Sequence, residues 1–132
     1  MIIGVGIDII EVERIAEKME KKQGFKELVF AAEEIAYCEP KTHKYEHYAA
    51  RFAAKEAFLK ALGTGWATGT AFNEIVVTSD SLGQPKLKII GTTAITLSHI
   101  STNHIKISIS HIKKMAAAVV IIEDASAEQS PV

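Results

Sequence analysis

One cysteine, three prolines, one tryptophan and no long apolar run leave this chain short of several common devices, and each shortage excludes something. Cys38 stands alone, so no internal disulfide staples the fold and a reducing compartment is the expected setting. The longest apolar run, Met115 to Ile122, is far too short to span a bilayer. The start, Met1-Ile2-Ile3-Gly4, lacks the basic and apolar regions of a signal peptide. A soluble cytoplasmic protein is expected. Net charge is −1, so neither nucleic acid nor a membrane is attracted in bulk, and any charged partner must meet a local patch.

What is present is globular. Apolar residues make up 48% and charged residues 23% of 132 positions, enough for one domain with one modest core. Residues 1–123 are expected to form that domain. The polar, small residues 124–132 are expected to fray.

Ile2 to Ile7 reads as a strand, with Gly4 and Gly6 marking close approach by a neighbour. Glu11 to Gln23 reads as a helix with Val12, Ile15, Ala16 and Met19 buried, ended by Gly24. A second helix covers about Phe30 to Cys38, before Glu39-Pro40. A long helix follows from about Tyr45 to Leu62, rich in strong helix formers and capped by Gly63. Phe72 to Thr78 and Lys86 to Ile90 read as strands about the turn Ser81 to Pro85, and Thr92 to Ser101 as a helix. Ile105, Ile107 and Ile109 alternate with polar residues, which predicts a half-buried strand, and Ala116 to Ile122 a more fully buried one. The class is α+β: a mostly antiparallel sheet packed against a long helix and shorter helices.

The long helix carries Arg51, Lys55, Glu56 and Lys60 among small and apolar residues. Glu56 and Lys60 share a face with Phe52 and Ala53, and charge on a packing face is costly unless paired or used. The plain reading is a surface ion pair worth a few tenths of a kcal/mol. Asp8 and Glu11 fit a helix cap, and the residues alone favour that reading. The alternative is that Asp8 and Glu56 hold a hard cation such as Mg²⁺, which takes one or two carboxylates plus phosphate oxygens and water. Ser110 and His111 are neighbours on a strand and point to opposite faces, so they form no nucleophilic dyad. Arg14, Lys18 and Lys21 form a basic stripe, either a solvated face or a dock for an acidic helix with Phe25 as an apolar anchor.

Taken in order, Gly4-Val5-Gly6-Ile7-Asp8-Ile9 with Arg14, Arg51-Phe52-Ala53-Ala54-Lys55-Glu56-Ala57 through Lys60-Ala61-Leu62-Gly63-Thr64-Gly65, Gly83-Gln84-Pro85, Ile107-Ser108-Ile109-Ser110-His111 and Ala116-Ala117-Ala118-Val119-Val120 make a pattern. It closely resembles the small, holo-(acyl-carrier-protein) synthase type of the 4′-phosphopantetheinyl transferase superfamily, over residues 1 to about 123. The resemblance implies transfer of 4′-phosphopantetheine from coenzyme A to a serine of apo acyl carrier protein, a step serving fatty acid biosynthesis, with release of adenosine 3′,5′-bisphosphate. It implies Asp8 and Glu56 as Mg²⁺ ligands, Lys60 at the pyrophosphate, Arg51, Gly63, Thr64, Gly65, Ser110 and His111 along the coenzyme A site, and Glu56, Lys60 and His111 as the catalytic residues. Arg14, with Lys18, Lys21 and Phe25, would face the carrier. It also implies a homotrimer with active sites between subunits. Two positions depart from the pattern: Ala31 and Ala32 replace a frequent threonine cap, and Lys106 precedes the Ile-Ser-Ile-Ser-His strand. The serine proton would pass to Glu56 or to a metal-bound water. Two other classes compete, a non-catalytic module that binds acidic helices and a nucleotide-handling enzyme with a different acceptor.

Overall fold

The computed structural model describes residues 1–63 and 69–124. Strand β1 (Ile2–Glu11) leads into α1 (Val12–Lys21), α2 (Phe25–Val29), α3 (Ala32–Cys38) and the long α4 (Lys44–Leu62). A 3₁₀ turn (Phe72–Glu74), β2 (Ile75–Ser79), β3 (Pro85–Ile89) and α5 (Gly91–Thr96) follow, then β4 (Ile105–His111) and β5 (Met115–Glu123). Every strand pairing is antiparallel: β1-β5-β4 form one sheet and β2-β3 a hairpin. No helix among the described residues is long and apolar enough to cross a membrane.

Helix α4 lies on the three-stranded sheet and is enclosed from its other sides by α1, α3 and β2. Every residue from Tyr48 to Lys55 is therefore buried. A helix apolar on all sides belongs in a core. Its alanines let the sheet come close. A Cβ on Gly6 would stand 1.9 Å from the Ala57 carbonyl oxygen, and one on Gly4 2.1 Å from that of Ala61. These glycines are required by proximity, not by backbone angle. Gly6→Ala is expected to cost about 3 kcal/mol, the upper end for overpacking, because the strand must leave the helix to make room. An unchanged denaturation midpoint would refute this close approach.

Several expectations are corrected. Strand β1 runs past Ile7 to Glu11, so Asp8 sits inside a ladder, paired with Ala118. The N-cap of α1 is Glu11, whose side chain makes no capping bond, so the cap reading of Asp8 fails. Phe72 to Glu74 is a 3₁₀ turn, and the strand begins at Ile75. The helix expected over 92–101 stops at Thr96, and its first turn is held from a distance: Glu74 accepts bonds from the backbone N–H groups of Thr92 and Thr93 and from the Thr93 hydroxyl. Strand β5 is more fully buried than β4, as expected: its residues alternate between buried and half-buried, whereas β4 has exposed ones. Ala31 caps α3 without a side-chain acceptor, leaving only the reverse half of a capping box, its N–H to Glu34 at 2.9 Å.

Candidate active site

Gly4, Gly6 and Asp8 alternate along β1 and so share the face turned to α4. The glycines bring the strand against Ala57 and Ala61, and Asp8 follows into the space beside Glu56 and Lys60. Lys60 Nζ lies 3.0 Å from Asp8 Oδ1 and 3.0 Å from the Ile7 carbonyl oxygen. The Lys60 side chain is 56% exposed and that of Asp8 only 16%. Glu56 is half-buried, and burial, then the charge of Asp8, raise its carboxyl above the usual range, against Lys60 and Lys18. Asp8 and Glu56 line one open cleft of about 450 Å³ with Phe52, Arg14, Lys18 and Met115.

This donor set fits a hard divalent cation. It offers only oxygens, and two carboxylates that repel each other gain from a shared positive charge. Among the described residues no three His, Cys, Asp or Glu side chains converge, so phosphate oxygens and water would complete the shell.

A second cleft of about 170 Å³ lies elsewhere on the chain and shares no lining residue with the first. Arg51, five residues before Glu56, is turned about 140° around α4 from it. Arg51, Tyr37, His47, Pro85, Ile109 and His111 line this cleft. The Arg51 guanidinium is nearly buried, stacks 4.2 Å over the Tyr37 ring, and leaves Nε buried with no hydrogen-bond partner among the described residues. His111 closes β4 with Nδ1 3.0 Å from Glu46 Oε1 and its ring 5.2 Å from that of His47. Burial first, then the charges of His111 and Arg51, push His47 below the usual histidine range. A desolvated guanidinium beside an imidazole is chemistry for an anion.

The remaining expected residues fall into place around these clefts. Arg14 and Lys18 rim the carboxylate cleft, and Lys18 Nζ sits 5.9 Å from the Phe52 ring centre. Lys21 is exposed in the last turn of α1. Phe25 is half-buried with its ring 6.5 Å from Phe52, so it belongs to the packing more than to an open anchor, while neighbouring Leu28 is 71% exposed. Ser110 is exposed on the sheet face opposite His111 and away from both clefts. Gly63 caps α4 at φ +79, while Thr64 and Gly65 lie outside the described residues. Sequence reasoning missed Glu34. It is fully buried against Lys55, the most buried charge of α4, and the available signal was the helix's unbroken apolar girdle. Glu46, also missed, gives no signal before β4 is folded onto α4.

The model of the 4′-phosphopantetheinyl transferase superfamily matches residues 4–120. A holo-(acyl-carrier-protein) synthase of Cytophaga hutchinsonii is 43% identical over 123 residues, 92% of this chain and 97% of that protein. The crystal structure of the Neisseria meningitidis synthase superposes with a TM-score of 0.83 at 31% identity, covering 94% of this chain and all of that one. A Bacillus anthracis synthase, solved in complex with coenzyme A (3′,5′-ADP), gives 0.77 at 35% identity, over 95% and 99%. The chain thus belongs to the 4′-phosphopantetheinyl transferase superfamily, as an enzyme of its holo-(acyl-carrier-protein) synthase family.

Proposed function

We propose that the enzyme transfers the 4′-phosphopantetheine group from coenzyme A to a serine of apo acyl carrier protein in a Mg²⁺-dependent reaction, giving the holo carrier and adenosine 3′,5′-bisphosphate. The observation that carries this reading is the meeting of Asp8 and Glu56 in one cleft rimmed by Arg14 and Lys18, with Lys60 paired to Asp8. Residues 1–123 act as one catalytic domain in the cytoplasm.

Asp8 and Glu56 hold the metal. Bound there, Mg²⁺ offsets charge on the coenzyme pyrophosphate. Lys60, exposed on a flexible stem, neutralises the leaving phosphate or hands it a proton. The serine proton passes to Glu56 or to a water in the cleft. The nucleophile belongs to the carrier, so no residue of this chain is modified. Arg14, Lys18 and Lys21 face an acidic carrier helix beside the metal, and Leu28 adds apolar surface there.

The Arg51–His111 cleft binds the nucleotide end of coenzyme A. It lies apart from Asp8 and Glu56 within one chain, so a complete site draws its halves from neighbouring copies in a homotrimer. The outer face of β1 supports that assembly: Ile3, Val5, Ile7 and Ile9 are each more than half exposed, an apolar strip of the kind that marks an interface.

The test is labelling of apo carrier protein by a fluorescent coenzyme A with and without Mg²⁺. Labelling that stops on chelation, from a particle of three chain masses by light scattering, is the expected result. In the same assay Arg14→Glu should raise KM for the carrier about tenfold and leave KM for coenzyme A unchanged. An equal rise in both defeats the docking assignment. Carrier binding without turnover would favour the binding-module reading.

A further inference from the structure

We propose that Glu46 is a positioning residue for His111: it holds the imidazole through Nδ1 and thereby presents Nε2 to the coenzyme in the Arg51–His111 cleft. The proposal rests on reading that cleft as the coenzyme site.

Glu46 stands in the first turn of α4, its side chain only 16% exposed. His111 lies 65 positions later, at the end of β4. Their meeting is a product of the fold. Strand β4 pairs with β5, β5 lies on α4, and the alternation of β4 turns Ile107, Ile109 and His111 toward the helix. The contact at 3.0 Å has the length of an N–H···O hydrogen bond.

A histidine can carry its neutral-state proton on either nitrogen, and the choice follows the bond that the other nitrogen makes. A carboxylate cannot donate, so Nδ1 must carry the proton and Nε2 is left for the cleft. Two further contacts hold this arrangement. His47 packs edge-on against the His111 ring at 62°. Tyr37 packs edge-on against His47 at 76°. With Nδ1–H bonded to Glu46, a second proton taken up at Nε2 would face the phosphate oxygens, and the Glu46 carboxylate would stand beside the ring that carries both protons. The role is that of the outer carboxylate in carboxylate–histidine pairs, where its loss costs about 10- to 100-fold.

The experiment uses the full-length enzyme with saturating apo carrier and varied coenzyme A. Glu46→Ala should raise KM for coenzyme A about tenfold with kcat kept within about twofold. Glu46→Gln retains an acceptor for Nδ1–H and should fall between. In parallel, ¹⁵N spectra of His111 should show the proton on Nδ1 in wild type and in Glu46→Gln, and a shift toward Nε2 in Glu46→Ala. His111→Ala is the control. If it raises KM for coenzyme A while Glu46→Ala leaves both KM and the ¹⁵N pattern unchanged, positioning by Glu46 is overturned. If His111→Ala leaves KM unchanged, the coenzyme reading of the cleft fails and the proposal falls with it.

Discussion

Replacing Glu56 with glutamine will lower carrier labelling by about 10²-fold or more, yet leave the folded protein at least as stable as wild type at neutral pH. The first half follows from the ligand set. Asp8 and Glu56 are the two carboxylates proposed to hold the cation, so loss of one removes half of the charge they offer it. The second half follows from the electrostatics of the cleft. Burial and the charge of Asp8 raise the folded-state pKa of Glu56 above its unfolded value. The contribution of such a group is fully present below the ordinary carboxylate range near pH 4 to 4.5 and is lost as pH rises through the raised value. At neutral pH the ionised Glu56 therefore opposes folding, and glutamine relieves it at nearly equal volume. The two effects have opposite signs, which separates a functional carboxylate from a structural one. Cation affinity in wild type should likewise begin to fall, on acidification, at a pH above that of an ordinary glutamate. Labelling at the wild-type rate, or a Glu56→Gln protein that melts well below wild type, would sink the assignment.

The long helix was legible almost to the residue because its signals are local: strong formers throughout and a glycine with positive φ at its end. The pairing of Asp8 with Glu56 was not. A spacing of two places Gly4, Gly6 and Asp8 on one face, but nothing in that spacing names the helix the face will meet. The family resemblance supplied this connection. Helix α5 was overextended for a related reason: Thr92 to Ser101 has a helical pattern, but its anchor is Glu74, beyond the reach of any local window. The packing face of α4 was read through Glu56 and Lys60, whereas the structure puts Lys60 in solvent and Lys55 in the core. Residues 52, 53, 56 and 60 mark one side of a helix that is buried on every side near its middle. A one-sided pattern could not rank the charges on it.

The largest stability change is expected at Lys55, where Lys55→Met should cost about 3 to 5 kcal/mol. Both members of the Lys55–Glu34 pair are fully buried. Lys55 Nζ has three protons and three acceptors: Glu34 Oε1 at 2.6 Å, the Phe72 carbonyl at 2.8 Å and the Ile75 carbonyl at 2.5 Å. Glu34 accepts in addition from Ala31 N–H at 2.9 Å and Val77 N–H at 3.0 Å. One ion pair thus joins α3, α4, the 3₁₀ turn and the start of the hairpin. Burial pulls the Lys55 ammonium below its usual range, and the charge and hydrogen bond of Glu34 oppose that pull. Removing the ammonium alone strands a buried carboxylate and the Ile75 carbonyl. Removing both charges, as in Lys55→Met with Glu34→Leu, takes away the stranded charge and should recover part of the loss. Recovery stays incomplete, because the Ile75 carbonyl and the Val77 N–H lose their side-chain partners, each costing about 1 to 3 kcal/mol. The double variant should therefore lie below wild type yet above the sum of the singles by more than about 1 kcal/mol. Chemical denaturation of the four proteins at one protein concentration measures this coupling. Additive losses would mean that the two charges do not depend on each other.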